Sequence, residues 1–483
     1  MIAAGWGKSV LFRNGAYRTD FMRPMTDCTE LMSWWDWSPL GPWSTPFERL
    51  HEVLDPATIK RWESYFVTDP VTGQKMWNNQ PGDYDGYNER FGGLPAFRKA
   101  IETYRGMGAL VTLYTDPFRM DDASKIGRAH GKEWGVVEPD GKHSTAYEVW
   151  NPCHDSPEVR RWVADAMARV MRETGADGIR LDEYGHRGWA CFSTSHQHTF
   201  AERGCTEWQR AVAEATRMIR AAMDDARPGS VLTTEHPGYD YLMQHIEGCI
   251  TYDLTVQASP LRPLECNTQR FYFPECRAYE LDHRGADKTD RKKFWNAVAS
   301  FGRYYPEPMY HAMQENADAF GGRAVEPLIP TLTQFIYANR FETPNKVIVT
   351  LFNAIGHSFE GPVLKMDQAP GTHVFDLLGC RDVKTTDGIL RIFLARDDVA
   401  CLARLPDVIS ATRDGGRLRL NLAESAEGAE LRLCDNGGKI LARQPVSGRT
   451  ALFDLDDTTQ NASCAKLVKS GTLIDAEALR ETP

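Results

Sequence analysis

No stretch of this 483-residue chain holds the roughly 18 to 20 consecutive apolar residues that a membrane-spanning helix needs. No run of Lys and Arg exceeds the three in "DRKKF", and the formal net charge is -10, so neither nucleic acid nor an anionic membrane is an expected partner. The opening "MIAAGWGKSVLFRNGAYRTD" lacks the apolar core and small-residue cleavage site of a secretory signal, which makes the cytoplasm the default location. A strand-like segment beginning almost at Met1 fits the cut edge of a longer or exported protein equally well. The eleven cysteines are odd in number and scattered, with no C-x-x-C pair. They read as reduced, mostly buried thiols, neither a disulfide framework nor a zinc site. Also missing are the phosphate loop, the G-x-G-x-x-G fingerprint and the G-x-S-x-G elbow. No cofactor and no metal is expected, and the oligomeric state is not legible.

A further scarcity divides the chain. All 13 Trp and all 17 Tyr precede residue 343. The remainder is built of short alternating runs such as "KVIVTLFNA", "ILRIFLA" and "RLRLNLA" between Gly, Asp and Asn turns, the pattern of an antiparallel sandwich. Without exposed flat aromatics to stack on sugars, this segment reads as structural. It divides into two small units near Pro406.

Before residue 343 helix and strand patterns alternate. "LPAFRKAIETYRGMG" places Phe97, Ile101 and Tyr104 at helical spacing, and "ALVTLYTDP" follows as a buried strand. The next helix has Ser156 as N-cap, Pro157 at its first position and Gly175 as terminator, and runs straight into "GADGIRLDEYG". "TEWQRAVAEATRMIRAAMDDARPG" and "SVLTTEHPG" repeat the unit; "GCITYDL", "QRFYFPECRAYEL" and "EPMYHAM" are further strand candidates. With "ELMSWWDW" and "KMWNN" as the first two strands the count is about eight. The expected fold class is therefore α/β: a (β/α)8 TIM barrel over residues 1–342, followed by an all-β antiparallel sandwich region over 343–483.

In such a barrel the chemistry sits where strands end. Period-two alternation puts Arg180 and Asp182 on one face of the fourth strand, both able to point inward. The guanidinium would keep the carboxylate ionised and fix its rotamer. The fifth strand also ends on an acid, Glu235, with Thr233 below it. Two acids on neighbouring strands facing one cavity are the minimum machinery for glycoside cleavage, one attacking or stabilising the cationic sugar and one protonating the leaving oxygen. A carbohydrate is the expected partner. Glu183 belongs to the loop, either facing a sugar or pairing with Arg187.

"GADGIRLDEYG" resembles the G-x-R-x-D segment on the fourth barrel strand of the α-amylase family of glycoside hydrolases, and the Glu ending the fifth strand is similarly spaced. The layout of a barrel followed by a β-sandwich is similar to those enzymes and to α-galactosidase-like barrels. The resemblance implies hydrolysis of α-linked sugars with retention, Asp182 as nucleophile, Arg180 as its partner and Glu235 as acid/base. In the α-galactosidase-like group the acid/base comes from the sixth strand, which makes Asp253 a rival to Glu235. The third strand reads "LYTDPFRM" where the amylases have Asp followed by Asn-His, and the seventh reads "FYFPECRAYEL" where they have His-Asp. Asp116 and Glu275 stand nearest to those positions. The chain thus resembles an uncharacterised glycosidase-like barrel family.

Aromatics beside acids and amides suit a pyranose, with its C–H faces and girdle of hydroxyls. Trp34, Trp35, Asp36, Trp37 and Trp43 follow the proposed first strand, and Trp77, Asp83, Tyr84, Asp85 and Tyr87 the second. Tyr114, Asp116, Glu183 and His236 complete the expected sugar contacts. His196 and His198 in "HQH" have the spacing of a metal pair but read as surface or supporting histidines. Two other readings stay open: a sugar-binding barrel without activity, and a metal-dependent hydrolase on the same fold.

Overall fold

The computed structural model describes residues 2–4, 11–13, 15–31, 56–57, 60, 66–68, 75–77, 82–84, 87, 92–121, 124–146, 149–185, 187–200, 208–236, 238, 240–252, 267–281, 289–367 and 369–479. Two compact units emerge: Met1–Thr251 with Phe301–Arg303, and Tyr252–Ser300 with Tyr304–Pro483.

One sheet contains eight strands in chain order: β1 (Ile2–Ala4), β2 (Cys28–Leu31), β3 (Leu110–Thr115), β4 (Gly178–Leu181), β5 (Val231–Thr234), β6 (Gly248–Tyr252), β7 (Arg277–Leu281) and β8 (Ala299–Phe301). The pairings from β1 to β6 are parallel. Helices α1 (Gly93–Gly106), α2 (Lys125–Trp134), α3 (Pro157–Thr174) and α4 (Trp208–Ala226) lie between strands. Strand order equal to chain order, with helical crossovers, is the (β/α)8 arrangement. The start differs from the sequence expectation. β1 is the three-residue strand after Met1, "ELMSWWDW" contributes only Glu30 and Leu31 to β2, and Lys75–Trp77 pairs antiparallel with Phe66–Thr68 outside the barrel sheet. Strands this short carry no readable alternation, whereas the Trp-rich run that follows does.

α3 forms where its signals stand. The Ser156 hydroxyl accepts from the Glu158 amide at 3.3 Å, Pro157 opens the first turn, and Gly175 ends the helix at φ 67. Its buried face includes Val159, Val163, Met167, Val170 and Met171. Three residues after this stop, β4 enters the sheet with all four residues buried. Gly178 is obligatory there because a Cβ would stand 2.2 Å from the Val231 carbonyl oxygen of β5. At the other end of β4, Gly185 has φ +98, and its Cβ would stand 2.0 Å from the His236 carbonyl oxygen. The loops after β4 and β5 therefore touch backbone to backbone.

In the second unit "EPMYHAM" is a helix, Glu307–Glu315, and not a strand: the acid and Pro308 of its first turn suit a helix N-terminus. "QRFYFPECRAYEL" splits into a short helix, Thr268–Tyr272, and β7. Glu275 consequently precedes its strand instead of ending it, and pairs at the surface with Arg323. Antiparallel pairing begins already at Val325–Ile329 against Ile336–Glu342. Two cores follow, one around Val349, Leu351, Val363, Leu390 and Leu402, the other around Leu420, Leu431, Leu433 and Leu467. Buried Asp475 accepts from the amides of Val408 and Ile409 at 2.8 Å each and lies 2.7 Å from His373 Nε2, clamping the connection after Pro406. No helix among the described residues is long and apolar enough to cross a membrane.

The contact at Gly178 predicts that Gly178→Ala destabilises the fold by about 1–3 kcal/mol, the usual cost of overpacking, read as a lowered urea midpoint.

Candidate active site

The site grows from the inward face of β4. Arg180 is fully buried, and its Nε donates to Glu30 Oε2 of β2 at 2.7 Å. Its Nη1 donates to Asp182 Oδ1. The register puts Tyr114 of β3 beside Arg180, with the guanidinium carbon 4.6 Å from the ring centroid and the Tyr114 hydroxyl donating to Asp182 Oδ2 at 2.7 Å. Each oxygen of Asp182 thus receives a hydrogen bond, one from Arg180 and one from Tyr114. Burial alone would draw the proton off Arg180, but Glu30 and Asp182 outweigh it and hold the pKa well above the ordinary value. Burial, helped by the Asp182 charge, raises the Tyr114 hydroxyl well above its usual range, so it remains a donor.

Glu235 follows β5, its amide donating to the Leu181 carbonyl at 3.0 Å. Its Oε2 accepts from the Glu183 amide at 2.9 Å. That bond exists because Glu183 adopts φ 58, which turns its N–H toward β5 and its side chain away. The Glu183 carboxylate ion-pairs with fully buried Arg119 and lies 3.6 Å from Arg187. The pairing with Arg187 was one of its two expected readings; the pairing with Arg119 was not expected.

Asp116, just past β3, accepts from the Phe118 amide at 3.3 Å, while its own amide donates to the Tyr84 hydroxyl at 2.8 Å. Burial, opposed by Arg119 and reinforced by the charges of Asp182 and Glu235, pushes the Asp116 carboxyl up to about 8. At neutral pH it is a proton-bearing group beside two other acids. His236 is half-buried; burial lowers its pKa, against the pull of Asp182, which leaves the ring neutral.

Tyr114, Asp116, Arg180, Asp182, Glu235 and His236 therefore come together. Asp83 and Tyr84 take other work: the Asp83 carboxylate caps α2 through the amides of Lys125 and Ile126, and Tyr84 is fully buried under Asp116. Tyr87 donates to Glu173. Trp34, Trp35, Asp36, Trp37, Trp43, Asp85 and Asp253 lie outside the described residues. Glu30 and Arg119 are the site residues that sequence reasoning missed. A lone charge inside the apolar "CTEL" was the only signal for Glu30. His196 and His198, read as surface or supporting histidines, are half-buried and meet buried Cys153 and Cys191, which were read as ordinary core thiols. Chain folding joins four residues that the sequence separates.

Residues 27–258 match the model of a family described as a domain of unknown function (DUF6259). No match is found among curated proteins. Among solved structures, the chain is similar to an α-amylase from Lactobacillus plantarum, with 13% identity, a TM-score of 0.51, and coverage of 79% of this chain and 92% of that one. It is also similar to an acarbose-soaked debranching enzyme of Nostoc punctiforme, with 10% identity, a TM-score of 0.50, and coverage of 79% and 87%. At these identities the likeness is one of fold: a barrel with a C-terminal β region.

Asp116 makes stability depend on pH. The fold keeps its proton up to about pH 8, whereas the unfolded chain releases it near 4, so its contribution is complete below about pH 4 and falls as pH rises to about 8. Asp116→Asn should flatten the decline in urea midpoint between pH 5 and pH 8 relative to the parent chain.

Proposed function

We propose that this chain is a retaining glycoside hydrolase acting on α-linked sugars, with Asp182 as nucleophile and Glu235 as acid/base. The observation that carries the reading is the treatment of two acids on adjacent strand ends. Asp182 has both oxygens fixed by Arg180 and Tyr114, and Glu235 has one oxygen fixed by the Glu183 amide. Donors aimed at a carboxylate set its direction of attack and stabilise its charge, as a nucleophile requires. The choice of α-linked sugars follows the G-x-R-x-D resemblance and the activities named for the two fold neighbours, an α-amylase and a debranching enzyme.

In the first half-reaction Glu235 gives its proton to the glycosidic oxygen as that bond breaks, and an Asp182 oxygen bonds to the anomeric carbon. In the second, Glu235 takes a proton from water, whose oxygen displaces Asp182 and restores the original anomer. Arg180 and Tyr114 position Asp182 throughout. Protonated Asp116 would offer a hydrogen bond to a sugar hydroxyl, and neutral His236 a second polar edge.

Maltooligosaccharides and aryl α-glycosides are the substrates to try, with proton NMR following the first-formed anomer. Retention is expected. Asp182→Asn should bring turnover to background, and Glu235→Gln should lower it by about 10²–10⁴-fold, with circular dichroism unchanged. Wild-type turnover by Asp182→Asn on every cleaved glycoside would remove the assignment, and inversion would deny Asp182 the nucleophilic role. Tight sugar binding without hydrolysis would make the barrel a binding module.

A further inference from the structure

Cys153, Cys191, His196 and His198 present four ligand atoms that all lie within 4.8 Å of one another. We propose that they form a closed zinc site fastening the loop after β3 to the loop after β4. Two thiolates and two imidazoles are the donor set that tetrahedral zinc takes in structural sites, and hard cations such as magnesium and calcium do not compete for it. With Zn–S near 2.3 Å and Zn–N near 2.0–2.1 Å, the edges of a regular tetrahedron are roughly 3.3–3.8 Å. His196 Nε2 already stands 3.5 Å from Cys191 Sγ. Closure needs only small side-chain adjustments.

The surroundings fit ligation. His196 Nδ1 is 2.6 Å from the Glu133 carbonyl oxygen, to which it donates, leaving the lone pair of Nε2 directed at the Cys191 sulfur. A carbonyl behind a metal-bound imidazole is the usual way the tautomer is set. The amides of Val137 and Ser193 each point at Cys191 Sγ from 3.5 Å, as suits a sulfur that carries negative charge. His198 Nε2 is buried and has no hydrogen-bond partner. A buried polar nitrogen left so is costly, and a metal ion would satisfy it. Four protein donors leave no open position, so the ion would be structural and would not activate water.

The position gives the ion its work. Cys153 lies just before the Ser156 cap of α3, and its amide donates to the Trp134 carbonyl at the end of α2. Cys191, His196 and His198 belong to the segment that leaves β4 after Asp182 and Glu183. The two loops already join at the Phe192 amide on the Val137 carbonyl and at the Thr199 amide on Asp155 Oδ1. One loop carries Asp116 and Arg119, the other Glu183, so the zinc would fix the distance across which Arg119 reaches Glu183.

The test is the metal content of the full-length, untagged chain, purified without chelator and measured by plasma mass spectrometry. One equivalent of zinc per chain is expected. Cys191→Ser and His198→Ala should lose it, His198→Cys should keep it, and Cys401→Ser, altering a buried thiol elsewhere, should leave it unchanged. Should the ligand variants fail to fold, cobalt exchange into the parent chain decides the matter: a sulfur-to-cobalt charge-transfer band with strong tetrahedral d–d absorption supports the site. Absence of zinc both as purified and after refolding with zinc would overturn the proposal. So would an equivalent of iron instead, zinc that survives both ligand-removing variants, or recovery of Cys153 and Cys191 as a disulfide.

Discussion

A single buried guanidinium organises the strand ends at which the candidate site lies. Arg180 sits where no water reaches, and an unpaired charge there would cost several kcal/mol. It is tolerable only because Glu30 and Asp182 share it. The three residues come from strands two places apart in the sheet, so the ion cluster forms only when β2, β3 and β4 are in register, with Tyr114 of β3 lying against the guanidinium. Removing Glu30 would free part of the guanidinium and loosen its hold on Asp182, although Glu30 itself is two strands away from that carboxylate. The orientation of the Asp182 carboxylate thus depends on an acid two strands away.

Much of this was legible in the sequence where the local rule and the tertiary structure agree. Helix α3 carries its own start and stop signals. β4 is a buried run whose alternation separates Arg180 and Asp182 from Ile179 and Leu181, and Glu235 follows directly on β5. Illegibility begins where partners are distant. Nothing within "CTEL" says that Glu30 meets a residue 150 positions later, and nothing near Arg119 points to Glu183. The short first strands were hidden by the Trp-rich run that follows them, and the helix at Glu307–Glu315 by apolar residues too few to separate a period of 3.6 from one of two. Glu275 was misplaced because a strand boundary moved by a few residues, enough to shift it from one end of β7 to the other.

The loops divide the labour. Asp116 and His236 stand in the short turns just past strands, whereas Asp83 and Tyr84, which look equally suited to a ligand, hold α2 and the backbone of Asp116. A residue's type says what it can do; its nearest unsatisfied backbone group often says what it does. The proximity of Cys153, Cys191, His196 and His198 follows the same logic, since loops long enough to carry a site need something other than a hydrophobic core to hold them.

The bond from the Glu183 amide to Glu235 has a particular standing among these interactions. Its donor belongs to the main chain, so no change of the Glu183 side chain deletes it, and a scan of side-chain truncations would pass over it. Proline alone would remove the donor, but its ring requires a φ near -65° where the chain turns at 58°. The carboxylate of Glu235 is therefore aimed by a feature that sequence variation at position 183 can hide but cannot easily erase. Selection for that aim would be seen in the shape of the turn, in Gly185 pressed against His236, and not in the identity of the residue that donates.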